Sequence, residues 1–214
     1  MTYEHDLHVL SKSAQLLAEQ FAGLFAAETI ERLLHESYDL LAATSRISTF
    51  LPLLAERFAV DRLRALARTQ GAIVSDLPEI LVVCTHNAGR SVAARVLLDH
   101  YGKGRVTVRS AGSAPGEEIN PAIARILTER GLDVSKEFPK PLTDEAARSA
   151  DILITMGCGD ACPVYPGKRY LDWDLTDPAG KGVEEVLPIV DEIERRVLGL
   201  LADLGIETAA ETVR

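Results

Sequence analysis

The chain has 214 residues, 47% of them hydrophobic, a formal net charge of −9 and three cysteines. This is the composition of a globular chain with ample core, and the acidic balance, with no basic cluster, argues against nucleic acid or an anionic membrane as a partner. No apolar run of about eighteen residues and no signal-like start is present, so a cytoplasmic location is expected, where cysteines are more often catalytic or redox-active than structural.

Residues 1–75 lack any strand pattern. Leu7, Leu10, Leu17, Phe21 and Leu24 mark one amphipathic helix, and Ile30, Leu33, Leu34, Tyr38, Leu40 and Leu41 a second. Leu51, Leu53, Leu54, Phe58, Leu63 and Leu66 mark one or two more, with Pro52 near a helix start. A bundle of three or four helices is expected. Its favoured role is self-association into a homodimer, with docking to another protein second. The boundary falls between Thr69 and Pro78, dividing the chain into 1–75 and 76–214. His5, His8 and His35 have no further ligand cluster around them and read as surface residues; no metal site is expected.

From Pro78 the pattern changes. Ile80, Leu81, Val82 and Val83 form a short apolar run that reads as a buried strand, with Cys84 at its carboxyl end. Arg90 follows after five residues, then Ser91, then Val92, Val96 and Leu97 at helical spacing up to Gly102. A loop wrapped before a helix N-terminus aims several backbone N–H groups at one point, and the helix dipole adds positive potential there. Thr85, His86, Asn87, Ala88 and Gly89 would form that loop. Its small residues permit tight closure, and Asn87 tolerates a positive φ. Arg90 can fork onto a tetrahedral oxyanion, the same field favours the thiolate of Cys84 as nucleophile, and the Ser91 hydroxyl can donate to it. Cysteine and arginine at this spacing arise by chance in many chains; strand before, helix after and Asn, Gly and Ser in place reverse those odds.

A second strand is expected from Arg105 and a helix capped by Asn120 with Pro121 at its first position, ending at Gly131. A short helix follows Thr143, then a third strand over Ala150–Met156 and a fourth over Lys168–Leu175. The last helix spans about Gly182 to Leu204, with Pro188 predicting a kink or a late start. Strands alternating with helices imply a parallel sheet with its site at the carboxyl ends of the strands. Two further groups carry chemistry. Cys158 and Cys162 flank Gly-Asp-Ala directly after the third strand; zinc would need about four soft ligands, so a redox pair is the better reading. Asp177 precedes Pro178, which restricts its direction. Asp172 and Asp174 read as solvated.

V-C-T-H-N-A-G-R-S resembles the anion loop, C-x5-R-S/T, of the low-molecular-weight protein tyrosine phosphatase superfamily. R-S-A-G-S at Arg109–Ser113, N-P at Asn120–Pro121, T-M-G-C-G-D-A-C-P at Thr155–Pro163 and D-W-D-L-T-D-P-A-G-K at Asp172–Lys181 resemble its arsenate reductase branch over roughly residues 78 to 207. The N-terminal bundle is similar to helical extensions on some actinobacterial members. The resemblance implies an α/β fold, a phosphatase-like parallel four-stranded sheet with helices on both faces, preceded by the small all-α bundle. It implies reduction of arsenate, a phosphate-like oxyanion, bound by residues 84–91. Cys84 would be the nucleophile, Asp177 the proton donor and Ser110 a brace for Asn87. A disulfide would pass from Cys84–Cys158 to Cys158–Cys162, with no bound cofactor and thioredoxin as external reductant. The short Cys158–Cys162 spacing departs from the thioredoxin-linked pattern, which keeps mycothiol with mycoredoxin open as the donor. A tyrosine phosphatase, needing only Cys84, Arg90 and Asp177, is the alternative enzyme. An arsenic- or redox-sensing binding protein is the alternative outside enzymes.

Overall fold

The computed structural model of the chain describes residues 3–44, 50–157 and 164–208. Packing divides it into two compact units. One comprises Met1–Ser75 with Thr143–Ser149, the other Asp76–Leu142 with Ala150–Arg214.

The first unit contains α1 (Tyr3–Gln20), α2 (Ala27–Ala42) and α3 (Leu51–Thr69), with Pro52 in the first turn of α3. Leu10, Leu17, Phe21, Ile30, Leu33, Leu34, Phe58 and Leu63 make its core. Leu7 and Leu24, expected inside, are each 36% exposed. Asp6 takes the inward position next to Leu7, where it accepts a 2.8 Å hydrogen bond from the Tyr38 hydroxyl. Leu24 lies beyond the end of α1, where Gly23 turns the chain. The unit also holds α6 (Asp144–Ser149). Arg62 on α3 is 6% exposed and donates to Glu145 of α6, to Glu36 and to the Ser37 hydroxyl. A buried guanidinium so shared ties a six-residue helix, too short to persist alone, to α3.

The second unit is a four-stranded parallel sheet in the order β2-β1-β3-β4, the four parallel strands of the sequence-based fold class. The strands are β1 (Glu79–Cys84), β2 (Thr107–Gly112), β3 (Ile152–Met156) and β4 (Arg169–Asp172). Every residue of β1 is buried, as the central strand of a parallel sheet should be. Ile80 and Val82 pack with Ile152 and Ile154 against α4 (Arg90–Gly102), α5 (Pro121–Glu129) and α7 (Val183–Asp203). The other side of the sheet carries Leu81, Val83 and Leu153, equally buried.

β2 and β3 each start two residues later than expected, and other boundaries differ for identifiable reasons. β4 ends at Asp172, because Trp173 and Leu175 turn into the core. Gly102 is the last residue of α4, and Lys103 takes the left-handed position at φ 48°. α7 starts at Val183 without waiting for Pro188, which is exposed and whose missing N–H would have served Glu184, itself exposed to water. No described helix is long and apolar enough to cross a membrane.

Candidate active site

Strand register builds the site. Cys84 stands opposite Gly112 of β2 on one side and Met156 of β3 on the other, so three strands deliver their carboxyl ends to one point. In the order β2-β1-β3-β4 the chain leaves β1 toward one neighbour and returns to the other, opening the crevice in which α/β sheets bind ligands.

The loop from Cys84 to Arg90 is held from outside by its carbonyls. Those of Cys84, Thr85, His86 and Ala88 accept from the backbone N–H groups of Ser113, Ala114, Gly116 and Asn120. In a trans peptide the carbonyl and the following N–H point in opposite directions, and there are no cis bonds among the described residues. The amides of Thr85, His86, Asn87 and Gly89 are therefore turned inward. Asn87 adopts the positive φ expected of it, 46°. α4 begins at Arg90 with no side-chain cap, so its first-turn N–H groups and dipole face the same space. Donors converge from two directions, which is the condition for holding an oxyanion.

The thiol is set by a directional chain. The Lys140 backbone N–H donates to Asn87 Oδ1 at 3.0 Å, which fixes that amide's orientation. Asn87 Nδ2 then donates to Ser91 Oγ at 2.9 Å. Ser91 has its own proton to direct at Cys84 Sγ, 3.0 Å away. Cys84, Asn87 and Ser91 are all buried. Ser110, expected to brace Asn87, makes no hydrogen bond to it: its hydroxyl is buried with no hydrogen-bond partner among the described residues, while Asn87 accepts from the Lys140 N–H and donates to Ser91.

Arg90 is 6% exposed and donates from Nη1 to the Leu175 carbonyl at 3.1 Å and from Nη2 to Asp177 Oδ2 at 2.7 Å. The other Asp177 oxygen accepts from the Ala179 N–H at 2.9 Å. Asp177 thus lies over the loop, 87 residues along the chain from Arg90. The structure adds contacts that the sequence reading did not foresee. A Cβ on Gly89 would stand 2.7 Å from the Pro178 ring, so Pro178 rests on the bare backbone of the loop. Gly157, at φ 72°, lies against Arg90, and its carbonyl accepts from Thr85 Oγ1 at 2.9 Å; only glycine combines that backbone with that proximity. Asn120 caps α5 as expected but also reaches Pro178. These contacts enclose a cavity of about 40 Å³ lined by Cys84, His86, Arg90, Asn120, Asp177 and Pro178 among others. Asp172 and Asp174 are exposed, Asp172 accepting from Thr155 at 2.7 Å. Cys158 and Cys162 lie outside the described residues. Among the described residues no three His, Cys, Asp or Glu side chains cluster to hold a metal.

The description "low molecular weight phosphotyrosine protein phosphatase" fits residues 79–210, and "protein-tyrosine-phosphatase-like, N-terminal domain" fits residues 10–67. The chain belongs to the low-molecular-weight phosphotyrosine protein phosphatase family. Its relatives there include arsenate reductases. The solved thioredoxin-dependent arsenate reductase of Corynebacterium glutamicum is 48% identical, with a TM-score of 0.84 over 92% of this chain and 97% of that one. The arsenate reductase of Brevibacillus brevis is 31% identical across 90% of its own length and 55% of this chain. An arginine phosphatase of Geobacillus stearothermophilus is 26% identical, with a TM-score of 0.53 over 60% of this chain and 93% of that one. The family match spans the Cys84–Ser91 segment, and the Corynebacterium relative also extends across the N-terminal helices.

Proposed function

We propose that this protein reduces arsenate to arsenite with electrons from an external thiol reductant. The observation that carries the reading is the convergence of Cys84, Arg90 and Asp177 on one cavity with room for a small oxyanion, on a chain 48% identical to a thioredoxin-dependent arsenate reductase. At about 10–15 Å³ per water-sized probe, 40 Å³ has room for a small oxyanion.

Arsenate enters the ring of amides and the α4 N-terminus. The Cys84 thiolate attacks arsenic, and Asp177 protonates the departing hydroxide, which leaves as water. The Cys158 thiolate then attacks Cys84 Sγ. The S–As bond breaks with its electron pair remaining on arsenic, which falls from As(V) to As(III), while two thiols become the Cys84–Cys158 disulfide. Cys162 attacks Cys158, releases Cys84 and leaves a Cys158–Cys162 disulfide for the reductant. Thioredoxin is the donor that the Corynebacterium relative supports. Self-association through the N-terminal helices is part of this reading, supported by the exposure of Leu16, Leu40, Phe50 and Leu53 on that unit.

Mass spectrometry of disulfides trapped after arsenate exposure tests the relay. Replacing Cys162 should accumulate the Cys84–Cys158 bridge, and Cys158→Ser should abolish turnover with the thioredoxin system. A mixed disulfide or arseno-thiol adduct with mycothiol, and no internal bridge, would move the donor to mycothiol. The second reading, a phosphatase, has its support in the arginine phosphatase neighbour, since Cys84, Arg90 and Asp177 suffice for phosphoryl transfer. Phosphate-ester hydrolysis that exceeds arsenate turnover would favour it. Absence of multiple turnover on arsenate would favour a sensor.

A further inference from the structure

Asn120 stands between the two halves of the site. Its backbone N–H donates to the Ala88 carbonyl of the anion loop at 2.8 Å. Its Oδ1 accepts from the N–H groups of Ala122 and Ile123 at 2.9 and 3.2 Å, capping α5. Its Nδ2 donates to the Pro178 carbonyl at 3.1 Å, one residue beyond Asp177. The first two bonds are what any good N-cap residue makes; serine, threonine or aspartate would cap α5 as well. The third needs an amide, and it reaches 58 residues along the chain to the segment that carries the carboxylate.

That segment is stiff in itself. The Ala179 N–H closes onto Asp177 Oδ1, and the Lys181 N–H onto the Pro178 carbonyl at 3.2 Å. A stiff turn moves as a body, so its placement depends on what fastens it to the anion loop. Besides the Arg90 bond to the Leu175 carbonyl just before it, the turn itself has three fastenings: the Arg90–Asp177 ion pair, the Pro178 ring on Gly89, and the Asn120 amide. The first is the one an oxyanion competes for, since Arg90 is also the guanidinium that faces the cavity. Ring contact on glycine limits approach without fixing direction. Asn120 is then the polar tie on the turn itself that does not depend on Arg90.

We propose that Asn120 is a positioning residue for proton donation: it fixes the Asp177 turn over the anion loop while arsenate occupies Arg90. This rests on the reading of Asp177 as proton donor given above. It assigns Asn120 an action through Asp177 and no contact with arsenic.

The test uses the full-length protein with Asn120→Ser, which keeps a capping oxygen and removes the amide, together with Asp177→Asn and the double variant. Asn120→Ser should lower kcat for arsenate about 10- to 100-fold, in line with the cost of misplacing a reacting group by about 1 Å. Its melting temperature, and the protection by inorganic phosphate of Cys84 against alkylation, should stay near wild type. In the Asp177→Asn background the same change should have little further effect, because its route is already cut. Full multiplicative loss in the double variant, or loss of phosphate protection, would overturn the proposal by showing that Asn120 acts elsewhere. If Asp177→Asn lowers turnover and Asn120→Ser does not, the proposal fails while the proton-donor reading stands. If Asp177→Asn turns over at the wild-type rate, both fall. Should Asn120→Ser fail to fold, Asn120→Asp keeps the cap and sets an acceptor against the Pro178 carbonyl; it should lose turnover more steeply, and wild-type turnover would refute the assignment.

Discussion

Gly89→Ala is the sharpest probe of how the two halves of the site meet. The added methyl would stand 2.7 Å from Pro178 Cγ, where carbon atoms settle at about 3.5–4.0 Å. Something must yield by about 1 Å. The loop at Gly89 cannot, because the Ala88 carbonyl is bonded to Asn120 and Gly89 opens α4. The Pro178 turn is the part that gives way, carrying Asp177 with it. A displacement of that size lengthens the 2.7 Å Arg90–Asp177 contact beyond hydrogen-bonding range and in near-attack terms costs about 100-fold in rate. Steady-state arsenate turnover with the thioredoxin system reads the loss. Alkylation of Cys84 with and without phosphate reads the anion loop, which should be intact. Wild-type turnover would refute the idea that Pro178 transmits the shift. Loss of phosphate protection would refute it differently, by showing that the methyl distorts the loop and leaves Pro178 in place.

Other consequences follow from single contacts. Ser91→Ala removes the hydroxyl 3.0 Å from Cys84 Sγ and leaves the Asn87 amide without its acceptor; a hydrogen bond to a charged group is worth about 1.5–3 kcal/mol, so Cys84 should react roughly 10- to 100-fold more slowly with arsenate in single turnover. Arg62→Ala strips Glu145 and Glu36 of a nine-tenths-buried guanidinium and should cost about 3 kcal/mol in urea unfolding, with Glu145→Gln costing less, since Glu145 keeps some contact with water. Burial and the Glu194 carboxylate push the Tyr101 hydroxyl from 10 up to about 12. The neutral phenol is favoured in the fold, so its contribution is complete below pH 10 and is lost as pH rises from 10 to 12; Tyr101→Phe should lack that alkaline limb in a stability–pH curve.

What could be read in the sequence is what is local. Cys84 to Ser91 combines strand end, loop and helix start within eight residues, so the anion loop and the positive φ of Asn87 follow from neighbours alone. The Asn120 cap is likewise written by its own successor, Pro121. The sequence is silent where one atom group serves two distant segments. Nothing around Asn120 signals its second bond to Pro178, and Gly89 reads as a loop-closing glycine until the Pro178 ring is seen against it. Ser110 errs the other way: resemblance assigned its hydroxyl to Asn87, whose hydrogen bonds go to the Lys140 backbone and to Ser91. α6 was legible as a helix, but its capture by the buried Arg62 was not, because a lone arginine among leucines on an amphipathic helix gives no sign of what it pairs with.

The contact between Arg90 and Asp177 sets a condition on the chemistry. At rest the Asp177 carboxylate shares the guanidinium that a tetrahedral oxyanion would approach, so an incoming arsenate meets both a competitor for Arg90 and a like charge a few ångströms away. Displacing the carboxylate into water would relieve the repulsion but remove the group from the reaction. A proton on Asp177 relieves it in place: the repulsion disappears, Arg90 turns to the anion, and the acid stands beside the oxygen that must leave. On the proposed reading of Asp177 as proton donor, substrate binding and its loading are one event, which predicts proton uptake when arsenate or phosphate binds. Calorimetry in buffers of different ionisation enthalpy measures that uptake directly. It should vanish in Asp177→Asn, and uptake unchanged in that variant would place the proton elsewhere and break the link between the ion pair and catalysis.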